Sequence, residues 1–180
     1  MKTNLIMILL SFFIIHNSAI ADNEISNNIN KISANVIFLR HAIAPGFGDP
    51  DNFKLDDCST QRNLSKEGIK QAKSIGKKFL NNKINFTKIF SSEWCRCQDT
   101  TKIMNIGTWE TFSGLNSFYQ GYVNKDITIK SLREKLSEIK SNDLVLMITH
   151  QVVISEITGI SSPSGGMIAY NSYTKIAKKI

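Results

Sequence analysis

The chain has 180 residues, of which 42% are hydrophobic and 21% are charged. This length suits one domain with a real core and argues against a string of several domains. The formal net charge of +7 favours anionic partners such as phosphate esters, but the lysines are dispersed through the chain, so we expect no nucleic acid among these partners.

The amino terminus has the pattern of a secretory signal peptide over residues 1–21. Lys2 gives a positive start, the run from Leu5 to Ile15 is apolar except for Ser11, and residues 19–21 read Ala-Ile-Ala, a small-residue cleavage signal. The apolar run is shorter than the roughly 20 residues that span a bilayer, although a retained membrane anchor is the alternative. We expect cleavage after residue 21, no stable membrane anchor after that cleavage, and a periplasmic or secreted protein.

The rest of the chain is predicted to form one domain over residues 34–180. Lys2 is the only charge in the leader, so its removal lowers the positive surplus from seven to six. Residues 22–33 are rich in Asn, Ser and charge and lack strong periodicity. This composition predicts a flexible lead-in to the domain.

The first predicted strand is Val36–Leu39, an apolar run that leads directly into Arg40 and His41. The prolines and glycines of residues 44–50 predict a loop beside these two side chains. Ser65 has the residue type and position of a helix cap, and apolar residues follow it at helical spacing. The residues of this predicted amphipathic helix are Ile69, Ala72, Ile75, Phe79 and Leu80.

The second half of the domain continues to alternate strands with helices. Lys88–Ser92 predicts a buried strand, and Trp94–Met104 predicts a helix with Arg96 in its first turn, where the backbone amides and the helix dipole suit an anion. The remaining predicted elements are a helix over Ile129–Ile139, a strand over Leu144–Thr149, a helix over Val152–Ile157 closed by Gly159, and an edge strand over Met167–Tyr170.

This order of elements predicts an α/β fold, a three-layer α/β/α sandwich with a mostly parallel central sheet. His41 and His150 remain once His16 leaves with the leader, and each directly follows an apolar strand. The carboxyl ends of parallel strands gather at one edge of an open sheet, where ligands bind. We therefore expect the two histidines to share one site.

Three cysteines, Cys58, Cys95 and Cys97, predict one disulfide and one free thiol in an oxidising compartment. A bond between Cys95 and Cys97 is sterically poor, so Cys58 is expected to pair with one of them. Either pairing ties the loop before the first long helix to the Arg96 segment.

Four short motifs occur in an order that characterises one enzyme superfamily. They are Arg40-His41, Leu64-Ser65-Lys66-Glu67-Gly68, Ser91-Ser92-Glu93-Trp94-Cys95-Arg96 with Thr100, and Thr149-His150. These motifs resemble the Arg-His-Gly signature, the helix start, the Ser-Ser-x-x-x-Arg-x-x-x-Thr segment and the strand end of the histidine phosphatase (phosphoglycerate mutase-like) superfamily. The resemblance covers residues 35–159. Residues 57–65, 94–97 and 115–118 further resemble a small exported subgroup of that superfamily.

The resemblance implies an exported phosphomonoester hydrolase, a histidine-type acid phosphatase that needs no metal or other cofactor. His41 would be the nucleophile that forms a phosphohistidine, which water then hydrolyses. A neutral imidazole near pH 7 suits that role. Arg40, Arg96 and His150 would bind the phosphoryl oxygens and stabilise the transition state. The further residues expected to contact a small anionic phosphate-ester substrate are Arg62, Asn116, Ser117 and Gln151.

Two positions depart from the superfamily pattern. Ala42 stands in place of the signature glycine, which adds a methyl group beside the phosphate. Ser117 stands where many members carry a glutamate, and a serine does not protonate a leaving alkoxide as a carboxylic acid does. The candidate proton donors elsewhere in the chain are Glu93, Glu110, Asp126, Asp49 and Asp56.

Two alternatives to this hydrolase stay open. Without a general acid, the chain is alternatively a noncatalytic protein that binds a phosphate ligand. The second alternative is a zinc site, although the neighbouring arginines would repel a cation. Its ligands would be Cys95, Cys97, His41 and His150.

Overall fold

The computed structural model describes residues 17–180, which form a six-stranded sheet with helices on both faces. The strands are β1 (Val36–Arg40), β2 (Lys88–Ser91), β3 (Glu110–Thr111), β4 (Val145–Thr149), β5 (Met167–Tyr170) and β6 (Ala177–Lys179). Across the sheet their order is β3-β2-β4-β1-β5-β6. The first four are parallel, whereas β5 and β6 each run antiparallel to their neighbour. The predicted mostly parallel α/β sheet is confirmed.

The described helices are α1 (Asn17–Lys31), α2 (Lys66–Asn81), α3 (Cys95–Met104), α4 (Lys125–Glu138) and α5 (Gln151–Thr158), with short 3-10 turns at Cys58–Thr60 and Ser113–Leu115. They divide between the two faces of the sheet, and the alternating side chains of β1 show the division. Ile37 and Leu39 pack in one core with residues of α1, α2 and α3. Val36 and Phe38 pack in a second core with residues of α4 and α5. The predicted three layers are therefore confirmed.

The start of α2 follows the local signals in the sequence. The Ser65 hydroxyl accepts a hydrogen bond from the backbone amide of Gly68 at 3.1 Å, as an amino-terminal cap does. Ala72, Ile75 and Phe79 are buried, whereas Ile69 and Leu80 are 38% and 59% exposed. The apolar stripe that reaches the core is therefore narrower than the sequence pattern.

The structure differs from the sequence prediction before β1. Residues 22–33 were expected to form a flexible lead-in, but they are helical as far as Lys31. Ile25 and Ile29, one helical turn apart, are 2% and 8% exposed and anchor this helix in the core. Of the predicted signal peptide, residues 1–16 lie outside the described residues, so it stays a prediction. Within residues 17–180, no helix is long and apolar enough to cross a membrane.

Both ends of the sheet differ from the predicted arrangement. β5 was expected at the edge, but β6 pairs with its outer side, so β5 is an internal strand. β6 reads Ala-Lys-Lys and β3 has two residues, so neither carries the apolar run that identifies a buried strand.

A disulfide joins Cys58 to Cys95, with 5.7 Å between their Cα atoms. It fastens the loop before α2 to the first residue of α3, as one of the two expected pairings. Cys97 is the free thiol and is buried. Since Cys95 is oxidised, it is not available to the four-residue zinc set considered from the sequence.

We predict that Gly76→Ala destabilises the protein at the contact between α2 and α3. A Cβ atom at Gly76 would lie 2.2 Å from the carbonyl oxygen of Met104, which is backbone and cannot rotate away. Alanine favours helix by about 1 kcal/mol over glycine, but overpacking of this kind costs about 1–3 kcal/mol. We expect a net loss of roughly 1–2 kcal/mol in the free energy of unfolding, measured by urea denaturation.

Ser74→Ala provides the control, because Ser74 lies on the exposed face of the same helix. Its free energy of unfolding should stay within about 0.5 kcal/mol of the wild-type value. A Gly76→Ala protein as stable as the Ser74→Ala protein would contradict the close approach of the two helices.

Candidate active site

The pairing of β1 with β4 places two imidazoles side by side. Arg40 is opposite Thr149 in the parallel register, and the backbone amide of His41 donates to the carbonyl of Thr149 at 2.9 Å. His41 and His150 follow these strands, and their ring centroids lie 5.4 Å apart. Both side chains are buried, with residue exposures of 2% and 3%. The structure therefore brings together the two histidines that the strand ends predicted.

His41 is held as a neutral imidazole whose proton lies on Nδ1. Nδ1 is 2.8 Å from the carbonyl oxygen of Ala42, and a carbonyl only accepts, so the ring must donate from this nitrogen. Nε2 keeps its lone pair and accepts from Nε of Arg96 at 3.3 Å. Burial, followed by the charge of Arg96, lowers the pKa of His41 from 6.5 to about 3. A neutral nucleophilic nitrogen is the result at pH 7.

His150 is held in the opposite tautomer by a chain of hydrogen bonds behind it. The backbone amide of Glu93 donates to Oδ1 of Asn116 at 2.9 Å, which fixes the orientation of that amide group. Ser92 Oγ lies 3.0 Å from the same Oδ1 and must donate to it. The hydroxyl oxygen then accepts from Nε2 of His150, also at 3.0 Å. Nδ1 of His150 is therefore unprotonated, 3.5 Å from a terminal nitrogen of Arg96.

Burial, together with the charge of Arg96, also lowers the pKa of His150 well below its usual range. Both histidines are consequently neutral in the folded protein, although each titrates near 6.5 when it is exposed. The folded state binds fewer protons than the unfolded state between the ordinary value of 6.5 and the His41 value of about 3. The histidines therefore make the folded protein less stable as the pH falls through this window.

Arg96 is oriented by a buried carboxylate that belongs to the loop after β1. Its two terminal nitrogens contact the two carboxylate oxygens of Asp49 at 2.7 and 3.1 Å. Asp49 also accepts from Nε1 of Trp94 and from the backbone amide of Arg62, each at 3.0 Å. Burial opposes ionisation of Asp49, but the hydrogen bonds and charge of Arg96 outweigh it and hold its pKa below the usual range. Asp49 is thus a fixed anion rather than a proton donor.

Two more arginines lie at the same site. Arg40 donates from one terminal nitrogen to the carbonyl of Ser162 at 3.0 Å, and its buried Nε has no hydrogen-bond partner among the described residues. Arg62 donates from Nε to the carbonyl of Gly48 at 2.8 Å and from a terminal nitrogen to the carbonyl of Ala44. Burial and the charge of Arg96 lower the pKa of both guanidinium groups, which stay protonated.

These side chains surround a cleft of about 280 Å³, a volume that suits a small ligand. Three arginines face it, and among the described residues that line it Asp49 is the only carboxylate, so the cleft has a positive surplus. The first residues of α5 also line it, which directs the positive end of that helix dipole toward the cleft. Seven of the predicted site residues lie on its wall: Arg40, His41, Arg62, Arg96, Ser117, His150 and Gln151.

The remaining predicted contact, Asn116, lies behind the wall and does not line the cleft. It is 2% exposed, and its side chain bonds to Ser92 and Glu93. This corrects the expectation that Asn116 touches a substrate, because its contact with the site runs through Ser92 to His150. The Glu93 carboxylate accepts from Asn116 at 2.5 Å in the same network. The other candidate acids, Glu110, Asp126 and Asp56, are exposed and do not line the cleft.

Thr100 connects the nucleophile strand to α3. Its hydroxyl accepts from the backbone amide of Ala42 at 3.0 Å and donates to the carbonyl of Arg96 at 2.7 Å. The backbone of Ala42 is not in the left-handed conformation that would favour glycine, and its side chain is buried in the core. The methyl group that replaces a signature glycine is therefore accommodated.

The start of α3 was expected to offer its backbone amides to an anion. Its first amide, that of Cys95, instead donates to the side-chain oxygen of Gln61 at 3.0 Å.

The free thiol of Cys97 lies against His150 without facing the cleft. Its sulfur is 3.4 Å from Nε2 of His150, and the residue is fully buried. Burial raises the pKa of Cys97 to about 12. It stays a thiol at neutral pH and is not a competing nucleophile.

No family model matches the chain, and no curated protein matches its sequence. Solved structures match its fold. One is the protein histidine phosphatase SixA complexed with tungstate, with a TM-score of 0.53, 15% identity, and coverage of 81% of this chain and 93% of that chain. The fold is that of the phosphoglycerate mutase-like histidine phosphatases.

Two further structures have the same fold with different activities in their names. A mycobacterial glucosyl-3-phosphoglycerate phosphatase matches with a TM-score of 0.54 and 14% identity, over 80% of this chain and 95% of that chain. A mutant of the phosphoserine phosphatase from Entamoeba histolytica, in complex with phosphoserine, matches with a TM-score of 0.54 and 16% identity, over 80% and 93%. These likenesses establish the fold, while the function has to be argued from the site.

We predict that nitrogen NMR of the imidazoles will show two different neutral tautomers. His41 should carry its proton on Nδ1 and His150 on Nε2, because their partners are the Ala42 carbonyl and the Ser92 hydroxyl. Neither ring should titrate between pH 8 and about 5, because both pKa values are lowered by burial. Titration of either ring near pH 6.5, or the same tautomer at both, would contradict this arrangement. Ser92→Ala should change the tautomer balance of His150 alone.

Proposed function

We propose that the protein is an exported phosphomonoester hydrolase that forms a phosphohistidine on His41. The observation that carries the proposal is the unprotonated Nε2 of His41 at a cleft with three arginines. A neutral nucleophile beside a surplus of positive charge suits attack on an anionic phosphoryl group. The named activities of the solved structures with this fold support the same class of reaction.

In the first step, the lone pair of His41 Nε2 attacks phosphorus while the bond from phosphorus to the alcohol oxygen breaks. The proton on Nδ1 stays hydrogen-bonded to the Ala42 carbonyl, which keeps the ring in the reactive tautomer and stabilises the positive charge that forms on it. Arg40, Arg62 and the Nε of Arg96 supply donors to the non-bridging oxygens. No metal takes part in the proposed reaction.

The leaving alcohol needs a proton that the side chains of the cleft do not supply. Ser117 has no acidic proton, Asp49 is ionised against Arg96, and both histidines are neutral. A phosphomonoester has a second pKa near 6, so below that pH it enters as a monoanion that carries its own proton. Transfer of this proton to the leaving oxygen balances the step. The proposal is therefore an acid phosphatase with a preference for good leaving groups.

In the second step, water attacks the phosphohistidine from the face that the alcohol has left. The bond between phosphorus and Nε2 breaks, inorganic phosphate leaves with the protons of the water, and His41 returns to its neutral tautomer. The Nδ1 lone pair of His150 lies beside the arginine cluster and is the acceptor in the site that can orient this water.

Export is part of the same proposal. The amino-terminal pattern of residues 1–21 and the disulfide between Cys58 and Cys95 both suit an oxidising compartment such as the periplasm. Amino-terminal sequencing of the protein from a periplasmic extract tests it, since the proposed cleavage leaves Asp22 as the first residue.

We predict that His41→Ala abolishes hydrolysis of p-nitrophenyl phosphate and the formation of a labelled, acid-labile phosphoenzyme. His150→Ala, the matched histidine variant, should still form the labelled phosphoenzyme but hydrolyse it more slowly, by about 10²-fold, because His150 orients the attacking water. Label in neither the wild type nor the His150 variant, together with tight phosphate binding, would favour the noncatalytic phosphate-binding protein instead. Full activity in the His41 variant would contradict both steps of the mechanism.

We also predict a steep dependence of kcat on the leaving group, with p-nitrophenyl phosphate cleaved far faster at saturation than ethyl phosphate. Ser117→Glu places a carboxylic acid at the cleft wall and should raise the rate for ethyl phosphate more than for p-nitrophenyl phosphate, by about 10²-fold at most. Ser117→Gln has the same size without the acid and should raise neither. Equal rates for both esters in the wild type would show that the site already contains a proton donor.

A further inference from the structure

Two exposed aromatic side chains stand at the mouth of the cleft, on separate loops. Phe47 is 96% exposed and Tyr119 is 62% exposed, and both line the same cleft as His41 and the arginines. A single exposed aromatic residue is ordinary on a protein surface. Two of them at the entrance of one anion-binding cleft are not explained by the phosphoryl chemistry, which needs only the charged side chains.

The loops that carry these aromatic residues are joined to each other. Gln120, next to Tyr119, accepts from the backbone amide of Asp49 at 2.5 Å and donates to its carbonyl at 2.9 Å. The Tyr122 hydroxyl donates to the carbonyl of Pro50 at 3.1 Å. Because Asp49 also binds Arg96, the rim is tied to the floor of the cleft.

A stack of rings supports the same rim from behind. The Phe53 ring lies 4.4 Å from the Tyr122 ring and 5.0 Å from the Trp94 ring, measured between centroids. Trp94 in turn donates to Asp49. These aromatic residues are packed together, whereas Phe47 and Tyr119 are exposed. Tyr122 is 37% exposed beside this stack, and the two more exposed aromatic residues, Phe47 and Tyr119, are the ones that line the cleft.

The backbone beside Phe47 is also specialised. Gly46 and Gly48 have φ values of +92° and +66°, a conformation that favours glycine. A Cβ atom at Gly48 would lie 2.6 Å from the Gln120 side chain, so glycine is needed there for the contact between the loops. The turn that allows Gln120 to bind Asp49 is the turn that holds Phe47 at the mouth.

We propose that Phe47 and Tyr119 bind an apolar ring face of the organic group that the substrate carries next to its phosphate. The inference rests on the proposed function and narrows its substrate class to ring-bearing phosphate monoesters. The arginines hold the phosphate at the floor of the cleft, and the two aromatic side chains contact the ring at its mouth. Aromatic side chains commonly bind a flat ring by stacking their faces against it.

The test compares two non-hydrolysable ligands that differ in a ring, benzylphosphonate and ethylphosphonate. Isothermal titration calorimetry with the wild-type protein should show the tighter binding for benzylphosphonate. Phe47→Ala and Tyr119→Ala should each weaken benzylphosphonate binding by about three- to ten-fold and leave ethylphosphonate binding unchanged. Phe47→Trp should keep the preference for the ring.

Leu80→Ala provides the control, because Leu80 is 59% exposed on α2 and does not line the cleft. Its two phosphonate affinities should equal those of the wild type.

Equal wild-type affinities for the two phosphonates, or a preference for benzylphosphonate that survives in both alanine variants, would contradict the ring-binding proposal. Retained hydrolysis of p-nitrophenyl phosphate in the same preparations would then leave the hydrolase standing. Absence of binding by either phosphonate, together with absence of hydrolysis, would contradict the hydrolase and the ring site together.

Discussion

The parallel ladder between β1 and β4 is the constraint on which the site depends. Their backbone hydrogen bonds place Arg40 opposite Thr149, so the residues that follow, His41 and His150, must emerge next to each other. Because side chains alternate along a strand, a register shift by one residue would move each side chain to the opposite face of the sheet. Both strands are buried on both faces, so such a shift would exchange side chains between the two cores and disrupt the packing of both. The distance between the imidazoles is therefore set by two buried central strands of the sheet.

A second constraint is electrostatic and concerns a loop. Three guanidinium groups converge on the cleft, and Asp49 neutralises one of them while fixing its orientation. Removal of one partner of a buried ion pair leaves an uncompensated charge and typically costs about 3–5 kcal/mol. The loop after β1 is therefore held against α3 by the same contact that aims Nε of Arg96 at His41. The Asp49 carboxylate therefore contributes both to the stability of the fold and to the geometry of the site.

The sequence predicts the parts of the site that follow from regular structure. The apolar runs before His41 and His150 identify two strands, and parallel strands bring their ends together. The contact between the two histidines is therefore predictable although they lie 109 residues apart in the chain. The role of Asp49 is not predictable in this way, because it depends on a loop conformation with left-handed glycines. Asn116 was expected to touch a substrate, but its side chain lies behind the cleft wall, bonded to Ser92 and Glu93. The spacing of residues in the sequence does not show whether a side chain near a strand end lines the cleft or lies behind its wall.

The same limits apply to α1. Residues 22–33 have an Asn-rich composition that resembles a lead-in, and the spacing of Ile25, Ile29 and Ile32, four and then three residues, indicates a buried helical face. Three apolar residues are too few to separate a short anchored helix from a polar segment by pattern.

The tautomers of the two histidines determine which hydrogen bonds the site is able to donate and to accept. His41 and His150 present a lone pair to Arg96, and their remaining protons are held by the Ala42 carbonyl and the Ser92 hydroxyl. The donors at the floor of the cleft are therefore guanidinium groups, which bind oxygen strongly but do not release protons at physiological pH. In the proposed reaction, such a site would stabilise negative charge on a phosphoryl group and leave the protonation of the alcohol to the substrate. The serine at position 117 is consistent with that division, because a hydrolase limited to protonated esters or good leaving groups has no use for a carboxylic acid there.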